Sequence, residues 1–150
     1  MTSFRLYIVE RYYYRVEIYG SQKEMHERLR FLYSIFPYRT EKLRKKDQEE
    51  LETHKAVTLW SEGVDGKNSL GLMVFCKQKL DLYYVAHEIQ HALIFAAKKI
   101  NVDLKMLGRR IGDDENMAYA AGRVLQKFFI EVFKRRVIKI HGFKGKSVSR

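Results

Sequence analysis

The sequence predicts a single α+β domain. With 150 residues, 46% of them hydrophobic, the chain is long enough for one core and too short for two ordinary domains. Short runs rich in Tyr, Val, Ile and Phe, typical of strands, alternate with longer stretches that carry apolar residues at helical spacing. This pattern predicts a mixed or antiparallel sheet packed on two consecutive helices in the second half of the chain.

The first third of the chain predicts strand followed by helix. Residues 4–19 are rich in β-branched and aromatic residues with partial alternation, which is typical of one long strand or a bent pair. Ser21 is predicted to cap a helix because Glu24 follows at the spacing of a capping box. Apolar residues then recur at helical spacing as far as Phe36, and Pro37 ends the helix.

The middle and end of the chain predict a hairpin and two helices. The apolar runs 55–61 and 69–76 are joined by a segment containing Gly and Asp, so they predict a β-hairpin. Helices are predicted from about Leu80 to Ile100 and from Asp113 to about Arg135. The apolar stripe of the first helix comprises Leu82, Val85, Ala86, Ile89, Leu93, Ala96 and Ile100.

Composition excludes several classes of protein. Cys76 is the only cysteine, so an internal disulfide framework is excluded and a reducing compartment is favoured. No run of apolar residues approaches the eighteen that a membrane-spanning helix needs. The first fifteen residues lack the pattern of a secretion signal. We therefore expect a cytoplasmic protein without a membrane partner.

Positive charge is concentrated at the C-terminus. The formal net charge is +11, and seven Lys or Arg with no acidic residue lie between Lys134 and Arg150. A basic tail from about residue 134 predicts nucleic acid or another polyanion as a further partner. The alternative is a solvated helix end followed by a frayed terminus.

The motif that points to chemistry is His87-Glu88-Ile89-Gln90-His91. Residues four apart lie on one face of a helix, so two imidazoles at this spacing can bind one Zn²⁺. Glu88 would then lie beside the metal as a general base for water. At 100° per residue both histidines fall on the far side of the apolar stripe, where an accidental pair of surface histidines is the competing interpretation.

A catalytic zinc needs a third protein ligand and one open position for water. Glu115 is our candidate, because it lies at the start of the next helix on a side that also carries Ala118 and Gly122. Small residues there would let the two helices approach closely. Asp114 is the main substitute and His141 the next, and the acidic residues could also simply complement the helix dipole.

These residues resemble the gluzincin branch of the zincin metallopeptidases. The motif with Glu115 in a downstream helix is similar to the small zincin-like proteins of phages and of the ImmA/IrrE group, over about residues 69–130. The resemblance implies a small zincin-like domain whose cleft is lined by an edge strand near 69–76. A metzincin would need Gly and His where this chain has Ile94 and Ala97.

The implied function is a zinc metallopeptidase acting on a protein or peptide. Zinc held by His87, His91 and Glu115 would lower the pKa of water from 15.7 toward ~7, and Glu88 would take its proton. Tyr119 is the first candidate for stabilising the oxyanion. Tyr84 and His141 are the next candidates for that donor. His26 and His54 lie in charged segments expected to be exposed, and no role is predicted for them.

Three other functions are compatible with the sequence. The first is a zincin-fold module that binds metal but acts by binding a partner, in which Glu88 would have no purpose. The second is a DNA-associated protease of the SprT-like kind, tethered by the basic tail. The third is a structural DNA-binding protein, which requires the motif to be accidental.

Overall fold

A computed structural model describes residues 1–9, 11–35, 45, 51–60, 65–100 and 113–138, without the side chains at 9, 52, 100 and 113–117. The strands are β1 (Thr2–Val9), β2 (Tyr12–Tyr19), β3 (Ala56–Trp60) and β4 (Ser69–Cys76). The helices are α1 (Gln22–Ile35), α2 (Leu82–Ile100) and α3 (Asp113–Lys134). The predicted α+β class is confirmed.

The strands form one mixed sheet in the order β1-β2-β4-β3. Both outer pairs are antiparallel, whereas the central pair, β2 and β4, is parallel. The hairpin predicted from the two apolar runs is confirmed as β3 and β4. Of the two alternatives for residues 4–19, the bent pair is the correct one.

The expected position of the edge strand is wrong. Residues 69–76 form β4, which is paired on both sides and buried along its whole length. A strand covered on both faces is apolar without alternation, which is the pattern of this segment. The edge strand next to the motif helix is β3, residues 56–60.

The larger hydrophobic core lies between the sheet and the two C-terminal helices. The ring of Phe128 in α3 packs edge-on against Phe4 and Phe75, at centroid distances of 5.8 and 5.2 Å. The hydroxyl of Tyr14 donates a hydrogen bond of 3.3 Å to the carbonyl of Ala92, which fixes α2 against β2. Burial raises the pKa of Tyr14. This core holds the motif helix in a fixed position on the sheet.

A smaller core covers the opposite face of the sheet. Its members from α1 and from β4 are Met25, Leu29, Leu32, Tyr33, Leu72, Val74 and Cys76. The predicted cap of α1 is confirmed, since the Glu24 amide donates to Ser21 Oγ at 3.3 Å. Glu24 in turn accepts a hydrogen bond of 3.1 Å from the amide of Gly20. This pair of bonds satisfies backbone donors at the helix start.

The expectation that His26 is exposed is wrong. His26 is only 4% exposed and lies in the α1 interface, with Nε2 3.0 Å from the carbonyl oxygen of His54. The helical phase explains this burial, because positions 26, 29 and 33 lie on one face of α1. The charged residues on either side of His26 in the sequence occupy other faces.

The sequence predicts a basic tail that contacts nucleic acid and no helix that crosses a membrane. The basic tail lies outside the described residues from 139 onward, so its contact with nucleic acid stays a prediction. Within the described part of the chain, no helix has the length and apolar character needed to cross a membrane.

Candidate metal centre and cleft

The motif helix starts at an acidic cap and presents its histidines away from the sheet. Asp81 Oδ1 accepts a hydrogen bond of 3.0 Å from the amide of Tyr84 in the first turn of α2. Val85, Ile89 and Leu93 are buried against the sheet, as their spacing predicts. Leu82, which the sequence placed on the same stripe, is instead exposed.

His87 and His91 form a close pair on the exposed side of α2. Their Nε2 atoms are 3.1 Å apart, and their rings meet edge-on at a centroid distance of 4.7 Å. Two nitrogens that each lie 2.0–2.1 Å from a tetrahedral zinc would be roughly 3.3 Å apart. The pair therefore fits one zinc ion with little rearrangement. The ring of Tyr83 stacks on His87 from the preceding turn, with an interplanar angle of 20°.

Glu88 lies between the histidines in sequence and is 6% exposed. Its backbone carbonyl accepts a hydrogen bond of 3.2 Å from Thr58 Oγ1, which fixes this turn of α2 against β3. Among the described residues, none donates a hydrogen bond to its carboxylate or forms an ion pair with it. Glu88 lines the same cleft as the two histidines.

The cleft runs between α2 and the edge strand β3, and encloses about 480 Å³. Contacts along it show that the two elements run in the same direction. Near its start, Lys55 Nζ lies 5.4 Å from the centroid of the Tyr84 ring. At the far end, the rings of Trp60 and Phe95 stack at 4.9 Å, with an interplanar angle of 5°. The histidine pair lies between these two ends.

The two ends of the cleft differ in charge. Lys55 is half-buried, and a hydrogen bond to Tyr84, together with the charges of Tyr84 and Asp81, raises the pKa of its ammonium group. Lys55 is therefore cationic at neutral pH. His54 lines the same end of the cleft. At the other end, Trp60 remains 46% exposed although it is stacked on Phe95.

The structure does not test the third metal ligand. Glu115 lies in α3, but its side chain and that of Asp114 are outside the description, and so is His141. The residues that are described include no group of three His, Cys, Asp or Glu able to hold a metal. Glu115 therefore stays a prediction.

The predicted close approach of α3 to the motif helix is not seen at Gly122. Gly122 lines a groove together with Ala86 and His87 of α2. A Cβ atom built at Gly122 would nevertheless meet no described atom within 4 Å. The position therefore has room for a side chain, and glycine is not required there by packing.

The predicted oxyanion donor, Tyr119, does not line the cleft. It is 54% exposed and lines another pocket, with Ala118 and Arg123 of its own helix. Tyr84, the second candidate, does line the cleft. Lys55 and Trp60 also line it, and the sequence offered no local signal for either.

His54 is half-buried and also lines the cleft, where the sequence predicted an exposed residue without a role. Its Nδ1 lies 3.5 Å from the hydroxyl of Tyr33, and its carbonyl oxygen contacts His26. The start of the cleft wall is therefore anchored to α1 on the opposite face of the sheet.

Comparison with models of protein families, with characterised proteins and with solved structures finds no match to this chain.

Proposed function

We propose that the protein is a zinc-dependent metallopeptidase. His87 and His91 would hold the metal, with Glu115 as third ligand and Glu88 as general base. The observation that carries the proposal is the combination of two Nε2 atoms 3.1 Å apart with a buried carboxylate in the same cleft. Zinc ligands and an acceptor for the proton of water are the groups that this hydrolysis requires.

The roles of the side chains follow from their positions. Bound zinc would supply Lewis acidity for a water molecule and for the peptide carbonyl. Glu88 accepts the proton of the attacking water and passes it to the leaving nitrogen, so that the amine departs neutral. Tyr84 has its hydroxyl group at the cleft, and it replaces Tyr119 as our candidate for stabilising the oxyanion.

A peptide as substrate is supported by the edge of the sheet. In the described part of the chain, β3 pairs with β4 on one side only. Unpaired backbone groups of an edge strand can bind an extended peptide as an additional strand. Because Thr58 contacts Glu88, a peptide bound along β3 would pass close to the general base.

Zinc content of the purified protein tests the proposal. We expect one zinc per chain in the wild type, none in His87→Ala, and a weakened site in Glu115→Ala. His54→Ala is the matched control, since it removes a histidine from the same cleft without altering the motif. A wild type that binds no zinc after reconstitution would overturn the assignment. Equal loss of zinc in His54→Ala and in His87→Ala would overturn it as well.

Hydrolysis is tested separately with a mixture of peptides analysed by mass spectrometry. The zinc-loaded wild type should produce new peptide termini, and Glu88→Gln should not, while it retains its zinc. Zinc binding without any cleavage would leave a metal site and reject the peptidase.

A further inference from the structure

We infer that the cleft selects peptides that carry an acidic residue at one end and an aromatic residue at the other, with the scissile bond between them. This inference deepens the proposed function and rests on it. It follows from the side chains that flank the histidine pair, since Lys55 and Trp60 mark the two ends of the same cleft.

The aromatic end offers a flat apolar surface. Trp60 and Phe95 come from different elements, and their nearly parallel rings hold the indole in place at the cleft wall. The indole is nevertheless 46% exposed. Covering it with a substrate ring would remove apolar surface from water and add a ring-ring contact. An aromatic substrate side chain satisfies both conditions.

The opposite end offers positive charge. The ammonium group of Lys55 lies beside the ring of Tyr84, and both Lys55 and His54 line the cleft. The nearby carboxylate of Asp81 accepts the amide hydrogen bond of Tyr84 at the start of α2. The partial positive charge at the N-terminus of α2 compensates the charge of the Asp81 carboxylate. Lys55 donates one hydrogen bond to Tyr84, and its two other N–H groups are available for an acidic group of the substrate.

The length of the cleft sets the spacing of the two substrate residues. Lys55 immediately precedes β3 and Trp60 is its last residue, so the two are at most roughly 17 Å apart at the rise of a strand. An extended peptide bound alongside would cover this distance with about five residues. In α2, His87 comes three residues after Tyr84, and His91 four residues before Phe95. The metal pair therefore lies near the middle of this span.

Peptide binding to Glu88→Gln, measured by fluorescence anisotropy with zinc added, tests the inference without turnover. The probe is a labelled eight-residue peptide with Glu and Phe five positions apart, made in both orders. Replacing Phe by Ala should weaken binding about threefold to tenfold. Replacing Glu by Gln should weaken it about twofold to fivefold.

Variants of the protein assign each preference to its end of the cleft. Trp60→Ala should abolish the preference for Phe, whereas Trp60→Phe should retain most of it. Lys55→Glu should reverse the charge preference, so that a peptide with Lys in place of Glu binds better. Phe31→Ala and Lys23→Glu, which alter exposed residues of α1, are the matched controls and should change neither preference.

Two results would overturn the inference: equal binding of the parent peptide and of its Ala and Gln variants, or preferences that survive in both Trp60→Ala and Lys55→Glu. The peptidase proposal fails independently, on zinc content and on cleavage by the wild type. Selective binding without cleavage would thus keep the peptide selectivity and reject the enzyme. Cleavage without selectivity would do the reverse.

Discussion

Two buried glutamates lie on opposite sides of this fold, and their carboxylates differ in the partners that bind them. Glu17 of β2 is 1% exposed, and Arg28 binds it with two hydrogen bonds of 3.0 and 3.2 Å. Arg15 Nε lies 3.2 Å from the same carboxylate, and the hydroxyl of Tyr19 donates to it at 2.8 Å. Glu88 of α2 is nearly as buried, yet no described residue binds its carboxylate.

The difference separates a structural carboxylate from one that is available for chemistry. A buried charge is costly unless it is paired and hydrogen-bonded, and the contacts of Glu17 meet that condition. They also join α1 to β2, on the face of the sheet opposite the motif helix. Glu88 has no such partner among the described residues, and it lines the cleft together with the histidine pair. A carboxylate that is buried, unpaired and located in a cleft is suited to act as a general base.

The largest expected effect comes from Glu88→Gln. Without the proton acceptor, cleavage of a peptide substrate should fall about 10²–10⁴-fold. The free energy of unfolding should stay close to that of the wild type, because no described residue binds the Glu88 carboxylate. Peptide cleavage and urea denaturation of the same preparation measure both quantities. A marked loss of stability would show that Glu88 is a structural residue like Glu17.

The same substitution at the other glutamate should have the opposite effect. Glu17→Gln leaves the half-buried Arg28 without its anionic partner and Arg15 with Asp65 alone, so the free energy of unfolding should fall by about 3 kcal/mol. Zinc content should be unchanged, since the site lies on the other face of the sheet. Glu27→Gln, at an exposed position of α1, is the matched control. A loss no larger than in this control would remove the contrast between the two carboxylates.

Local patterns in the sequence predicted the elements and the β3–β4 hairpin, but not the parallel pairing at the centre of the sheet. The cap at Ser21 and the stripe of α2 depend on residues a few positions apart, so they were readable. The parallel pairing of β2 with β4 joins segments more than fifty residues apart. No local pattern encodes such a contact, and this pairing is what makes β3, not β4, the edge of the sheet.

The same distinction between local patterns and long-range contacts applies to the candidate site. His87, Glu88 and His91 lie within one helical turn, so their spacing alone predicted that they share a cleft. Lys55 and Trp60 reach this cleft only through the packing of β3 on α2, which no motif reports. The burial of His26 was different, because the helical phase of α1 contained that information.

Among the described residues, Thr58 links the backbone of Glu88 to the other wall of the cleft. Its substitution should have the smallest of these effects. Thr58→Val keeps the shape of the side chain and removes the hydrogen bond to the Glu88 carbonyl. We expect a loss of about 1 kcal/mol in the free energy of unfolding. Thr2→Val at the far edge of the sheet is the matched control. If this bond also positions the general base, kcat should fall severalfold while KM and zinc content stay unchanged. A change in stability alone would mean that the turn carrying Glu88 is held by the core, through Val85 and Ile89.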